Sequence, residues 1–121
     1  MTPAELLTES LERVRESVGA VLDGLSPEEL AQRPTRDANP IGWLVWHLTR
    51  VQDDHVADVA GTEQVWTKDG FAERFDLPYA TATHGYGQTS EEVGQFRADA
   101  DMLSAYYAAV HARSLEFLAG L

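Results

Sequence analysis

The stretch NPIGWLVWHLTRVQDDHVADVAG, residues 39–61, decides how the chain is read. Asn39-Pro40 is a helix start signal and Gly61 a stop. Between them Ile41, Leu44, Leu48, Val51 and Val59 recur at the spacing of one helix face. At about 100° per residue, Leu44, Leu48, Val51 and Val59 cluster around one direction and His55 falls among them. His55 therefore reads first as a core histidine bonded to a backbone carbonyl or a facing tyrosine, with a role in a site as the alternative. His47 lies at the edge of this stripe, in line with Trp43, Asp54 and Asp58. Its neighbours at i+3 and i+4 are Arg50 and Val51, so spacing inside this helix does not build a metal site. A His47/Asp54/Asp58 stripe is conceivable, but carboxylates four apart on a helix are more often simply solvated.

Working outward, Thr2-Pro3-Ala4-Glu5 is a helix-starting box, and Leu7, Leu11, Val14, Val18, Val21 and Leu25 follow at alternating three- and four-residue steps. Ser26-Pro27-Glu28-Glu29 starts a short helical turn that runs to about Gln32. Residues 62 to about 89 hold Pro78, Gly85 and Gly87 with no sustained period. They read as a long crossover connection with a short helix between Trp66 and Phe75. Thr89-Ser90-Glu91-Glu92 begins the last helix, whose apolar residues run from Val93 through Phe96, Leu103, Tyr107 and Val110 to Leu121. No strand alternation competes. The expected class is all-α, a single domain over residues 1–121 with three long helices and one or two short ones. The last helix is apolar on more than one side, which calls for a fourth wall, from a further helix or from a second copy of the chain.

Composition narrows the chemistry. The 121 residues carry 20 acidic and 9 basic side chains, a formal charge of −11. That balance disfavours nucleic acid and anionic membranes, both of which reward Lys/Arg clusters. There is no cysteine, hence no disulfide, no zinc-thiolate site and no protein thiol nucleophile, so any sulfur chemistry needs a thiol supplied from outside. No secretory or membrane-spanning stretch is evident, and a cytoplasmic protein is expected. Motifs for serine hydrolases, P-loop enzymes and zincins are absent. His84, in His84-Gly85-Tyr86-Gly87, reads as part of a turn cluster or as a mobile ligand. His111, between Tyr107 and Leu115, reads as a packed helix residue.

The run from Asn39 to His55, with Trp43, Trp46-His47-Leu48-Thr49-Arg50 at its centre, resembles the DinB-like superfamily. So do Gly85-Tyr86-Gly87-Gln88-Thr89-Ser90 and the segment from Tyr107 to Arg113. Within that superfamily the likeness is to an actinobacterial branch related to mycothiol-dependent maleylpyruvate isomerase. The resemblance implies a four-helix bundle, often a homodimer, that holds a divalent metal, commonly zinc or nickel. The family's ligands are a histidine of the second long helix and two residues of the last one. The first maps onto His47. The fourth bundle helix, which would carry the other two, has no counterpart in this chain. Further implications are a low-molecular-weight thiol of the mycothiol type as cofactor, a transferase or isomerase activity on a small molecule, and a pocket lined by Trp43, Val51 and Tyr86. The alternative is a non-catalytic helical-bundle module that dimerises through the apolar face left uncovered.

Overall fold

The computed structural model describes residues 1–121. Three helices of 20 residues carry the fold: α1 (Pro3–Leu22), α3 (Ile41–Ala60) and α7 (Ala100–Ala119). Short helices α2 (Pro27–Ala31), α4 (Val65–Lys68), α5 (Phe71–Phe75) and α6 (Ser90–Gly94) occupy the connections, and there is no strand. The all-α bundle expected from periodicity is what forms. No helix is long and apolar enough to cross a membrane.

The helix starts follow local chemistry. The Thr2 hydroxyl accepts from the Glu5 amide, and Ser26 and Thr89 each form a reciprocal capping box with the glutamate three residues on. The Glu29 and Glu92 carboxyls are held below their ordinary range by the cap's backbone amide and then by its hydroxyl. Removing the hydroxyl in Thr89→Ala is expected to cost about 1 kcal/mol, read as a lower urea midpoint. An unchanged midpoint would show that this cap does not contribute to stability.

The last helix departs from its reading. The apolar pattern predicts one helix onward from Thr89, but the chain breaks between α6 and α7. The Asp99 carboxylate accepts from the Met102 amide at 2.7 Å and caps a fresh start. Gly94, a poor helix former, ends α6, and the break lets Phe96 turn inward against Trp46, ring centroids 5.6 Å apart.

A second correction concerns α3. The aliphatic stripe predicted to face the core faces outward: Leu44 is 42% and Val59 67% exposed, and His55 is exposed as well. The buried side is the opposite one, carrying Trp43, Trp46, Thr49, Arg50, Asp53 and Ala57. Two indoles offer more area to bury than the aliphatic residues they displace. The polar residues among them are tolerated because each is satisfied. Asp53 accepts from the Val65 and Trp66 amides, both at 2.8 Å, and from the Tyr106 hydroxyl at 2.7 Å. Arg50 donates to Gln64 Oε1 and to the Thr83 and Ala82 carbonyls, and its guanidinium lies 5.0 Å over the Trp66 ring. Burial, and then the Asp53 carboxylate, push the Tyr106 hydroxyl well above its usual range, keeping it a donor. This network ties the crossover connection to the face of α3.

The helix α7 packs against both α1 and α3. On the far side α1 and α3 leave an open groove of about 570 Å³, walled by Val14, Val18 and Val21 of α1 and Ile41, Leu44 and Leu48 of α3.

Candidate metal-ligand site at His47

The Gly85 turn seats the end of the crossover loop on the N-terminal half of α3. Gly85 has φ +102°, and a Cβ there would lie 2.6 Å from His47 Nδ1, 3.0 Å from Trp43 and 3.1 Å from Trp46. Only glycine allows both this backbone conformation and so close an approach. The approach brings the His84 carbonyl to 2.6 Å from His47 Nδ1. A carbonyl can only accept, so Nδ1 carries the hydrogen. In the neutral ring Nε2 is then left with its lone pair, the state in which imidazole binds a metal. Two further contacts orient the ring. His47 stacks on Trp43 with centroids 4.7 Å apart and planes 17° from parallel. The Trp43 indole N–H donates to Gln88 Oε1 at 2.7 Å, fixing Trp43 to the same loop.

The other candidates are dispersed. Val51, half-buried, lies one turn beyond His47 on the outward side of α3. Tyr86 stands in solvent, 85% exposed, and the contacts from this loop to α3 come from His84, Gly85 and Gln88 instead. His84 contributes its carbonyl to His47, while its ring nitrogen Nδ1 accepts from the Tyr86 amide at 3.4 Å. Asp54 is engaged by Gln64 at 2.9 Å. The core reading of His55 is overturned, because the face it shares with Leu44 and Val51 is the outward one.

His111 is buried on α7 and meets Glu12 Oε1 of α1 at 3.0 Å through Nε2. That bond, with a second from Arg15, holds the Glu12 carboxyl below its ordinary range. A carboxylate depressed in the folded state stabilises the fold above its unfolded pKa, and the contribution is lost as pH falls through the lower folded value. Glu12→Gln is therefore expected to lower stability at neutral pH and to converge with the unmodified chain in acid. Parallel pH–stability curves from denaturant titrations would contradict this.

No group of three His, Cys, Asp or Glu side chains converges to hold a metal. Catalytic zinc sites use three protein ligands plus water, and this chain presents one, His47. Its residues do not by themselves make a metal site. A second cavity, of about 270 Å³, opens beneath the crossover between Trp46, Trp66 and Tyr79 and contains no histidine.

The resemblance places Trp43 and the loop carrying Tyr86 at the His47 pocket, and the structure adds the specific contacts, the His84 carbonyl on His47 and Gln88 on Trp43. The Gly85-Tyr86-Gly87 turn was the available signal, since paired glycines mark places where backbone approaches closely. Which helix it would approach lay beyond any local pattern.

The comparisons with known proteins agree with this fold. A solved structure titled a conserved protein of locus from Enterococcus faecalis superposes with a TM-score of 0.91 at 25% identity. The match covers 100% of this chain and 72% of that one. No curated protein matches. The family model of the DinB superfamily matches residues 10–121, nearly the whole sequence. On that match and on the bundle that presents His47, the chain belongs to the DinB superfamily.

Proposed function

We propose that this chain is a helical-bundle module whose His47 supplies one imidazole ligand to a divalent metal, zinc or nickel, in a site completed from outside the chain. The observation that carries this is the 2.6 Å contact between His47 Nδ1 and the His84 carbonyl. It sets the tautomer and orients the ring as a backbone carbonyl does for metal-bound histidines in general. The completed site would serve a thiol-dependent transferase or isomerase, with a low-molecular-weight thiol of the mycothiol type as cofactor and a small molecule as substrate. Family membership supports this. The chain has no cysteine, so in this scheme the sulfur nucleophile comes from the external thiol. Trp43, Val51 and the loop carrying Tyr86 would wall the pocket, and a reducing cytoplasm is the setting that suits a free thiol cofactor.

Equilibrium dialysis against zinc or nickel tests the ligand assignment. His47→Ala is expected to weaken binding at least about tenfold. Equal affinity in the two proteins would sink it.

The open groove between α1 and α3 favours a second reading, a non-catalytic module that dimerises through its uncovered apolar face. Its mark would be a metal-independent, concentration-dependent dimer whose mass is unchanged by His47→Ala.

A further inference from the structure

We infer that the cavity beneath the crossover binds a short-chain amino alcohol, its ammonium held by Glu73 and Asp76 at the mouth and its oxygen by the Trp46 indole N–H at the floor. The cavity measures about 270 Å³, just under the ~300–1,000 Å³ of drug-sized sites, so it suits a molecule of a few non-hydrogen atoms. Its walls are pinned in place. The Trp66 indole N–H donates to the Thr81 carbonyl at 2.9 Å, the Tyr79 hydroxyl donates to the Glu92 carbonyl at 2.5 Å, and the Thr83 carbonyl accepts from Arg50 at 3.2 Å. Trp46 differs from these neighbours. It is 1% exposed, and its Nε1 is buried without a partner. Its Cζ3 faces the Gly85 turn, which does not line the cavity, and Nε1 lies on the opposite long edge of the indole. A buried donor left unpaired costs free energy, so this N–H favours a ligand that brings an acceptor oxygen.

The mouth supplies the opposite demand. Glu73 lies in α5 and Asp76 caps its end; both line the cavity and both are exposed. Three residues apart, they share one side of the helical turn. Neither takes part in the chain's ion pairs, which join Glu9 to Arg13, Glu12 to Arg15 and His111, and Glu116 to Arg113. Arg74, between them in sequence, lies over the Phe71 ring instead, 4.7 Å from its centroid. Two carboxylates without a counter-ion, on a chain of charge −11, attract a cation and repel an anion. The two ends of the cavity thus call for the two ends of one small molecule, and Trp46, Trp66 and Tyr79 offer aromatic surface to the carbons between them.

Calorimetric titration at neutral pH with ethanolamine as the probe tests the site, alongside ethylamine, which keeps the charge and lacks the oxygen. The full chain is compared with the double variant Glu73→Gln, Asp76→Asn. Both positions are exposed, and asparagine accepts the left-handed backbone of position 76 as aspartate does, so the fold is kept, which circular dichroism checks. The expected result is one ethanolamine per chain, bound about tenfold or more weakly by the double variant and more tightly than ethylamine by the unmodified chain. In a nitrogen–proton NMR spectrum of the three indoles, ethanolamine is expected to move the Trp46 N–H resonance, since those of Trp43 and Trp66 already have acceptors. No binding at millimolar ethanolamine, or equal binding by the double variant, overturns the site. Ethylamine bound as tightly as ethanolamine, or a Trp46 resonance that bound ethanolamine leaves in place, overturns the role of the indole and with it the amino alcohol as ligand.

Discussion

Asp53→Ala is expected to lower folding stability by about 3–5 kcal/mol, the largest single-residue effect in the molecule, read as a shift in the urea midpoint. Asp53 is 3% exposed, and its carboxylate accepts from the Val65 amide, the Trp66 amide and the Tyr106 hydroxyl. Truncation leaves all three donors buried without a partner, and bonds to a charged acceptor are the costlier ones to lose. It also removes a carboxylate three residues along α3 from Arg50, itself 1% exposed, whose hydrogen-bond partners Gln64, Ala82 and Thr83 are all neutral. Asp53→Asn keeps the shape and one acceptor oxygen, so it is expected to cost clearly less. Equal losses in the two variants would mean that the charge accounts for the whole effect and that shape and the remaining acceptor oxygen contribute nothing.

Gly85→Ala is the second large effect. A methyl group at Gly85 meets His47, Trp43 and Trp46 at 3.1 Å or less, and ring atoms packed on each other cannot give way as a flexible chain end can. Overpacking of this kind costs about 1–3 kcal/mol, and the left-handed backbone at φ +102° adds about 1–3 kcal/mol for a residue with a Cβ. The expected total is about 2–4 kcal/mol, relieved in part by the loop lifting away from α3. Lifting breaks the bond between the His84 carbonyl and His47, so Gly85→Ala should also free the His47 ring to change tautomer. A variant of unchanged stability would show that the loop is not seated on α3 as described.

These two positions also show what a sequence can disclose. The Ser26 and Thr89 boxes are local devices, complete within four residues, and they form as written. The outward stripe of α3 was misread for a reason of scale. Periodicity reports that one face is apolar but not which of two faces is buried, and α3 has aliphatic residues on one side and two tryptophans on the other. The burial of Arg50 and Asp53 has no local signal, because their partners, Gln64, Val65, Trp66 and Tyr106, lie in the unpatterned crossover or, for Tyr106, 53 residues from Asp53. The same holds at His47. Its ring is legible in Trp46-His47-Leu48, but the acceptor that orients it is a backbone carbonyl 37 positions on, and a carbonyl has no sequence signature.

A long-range proton–nitrogen NMR spectrum of the histidine rings, recorded at neutral pH before and after adding zinc, tests the central claim most directly. The expected result is that His47 carries its hydrogen on Nδ1, with Nε2 unprotonated, and that zinc moves the Nε2 resonance of His47. A His47 ring protonated on Nε2, or one that zinc leaves untouched while other histidines respond, would contradict the assignment of His47 as the metal ligand this bundle presents.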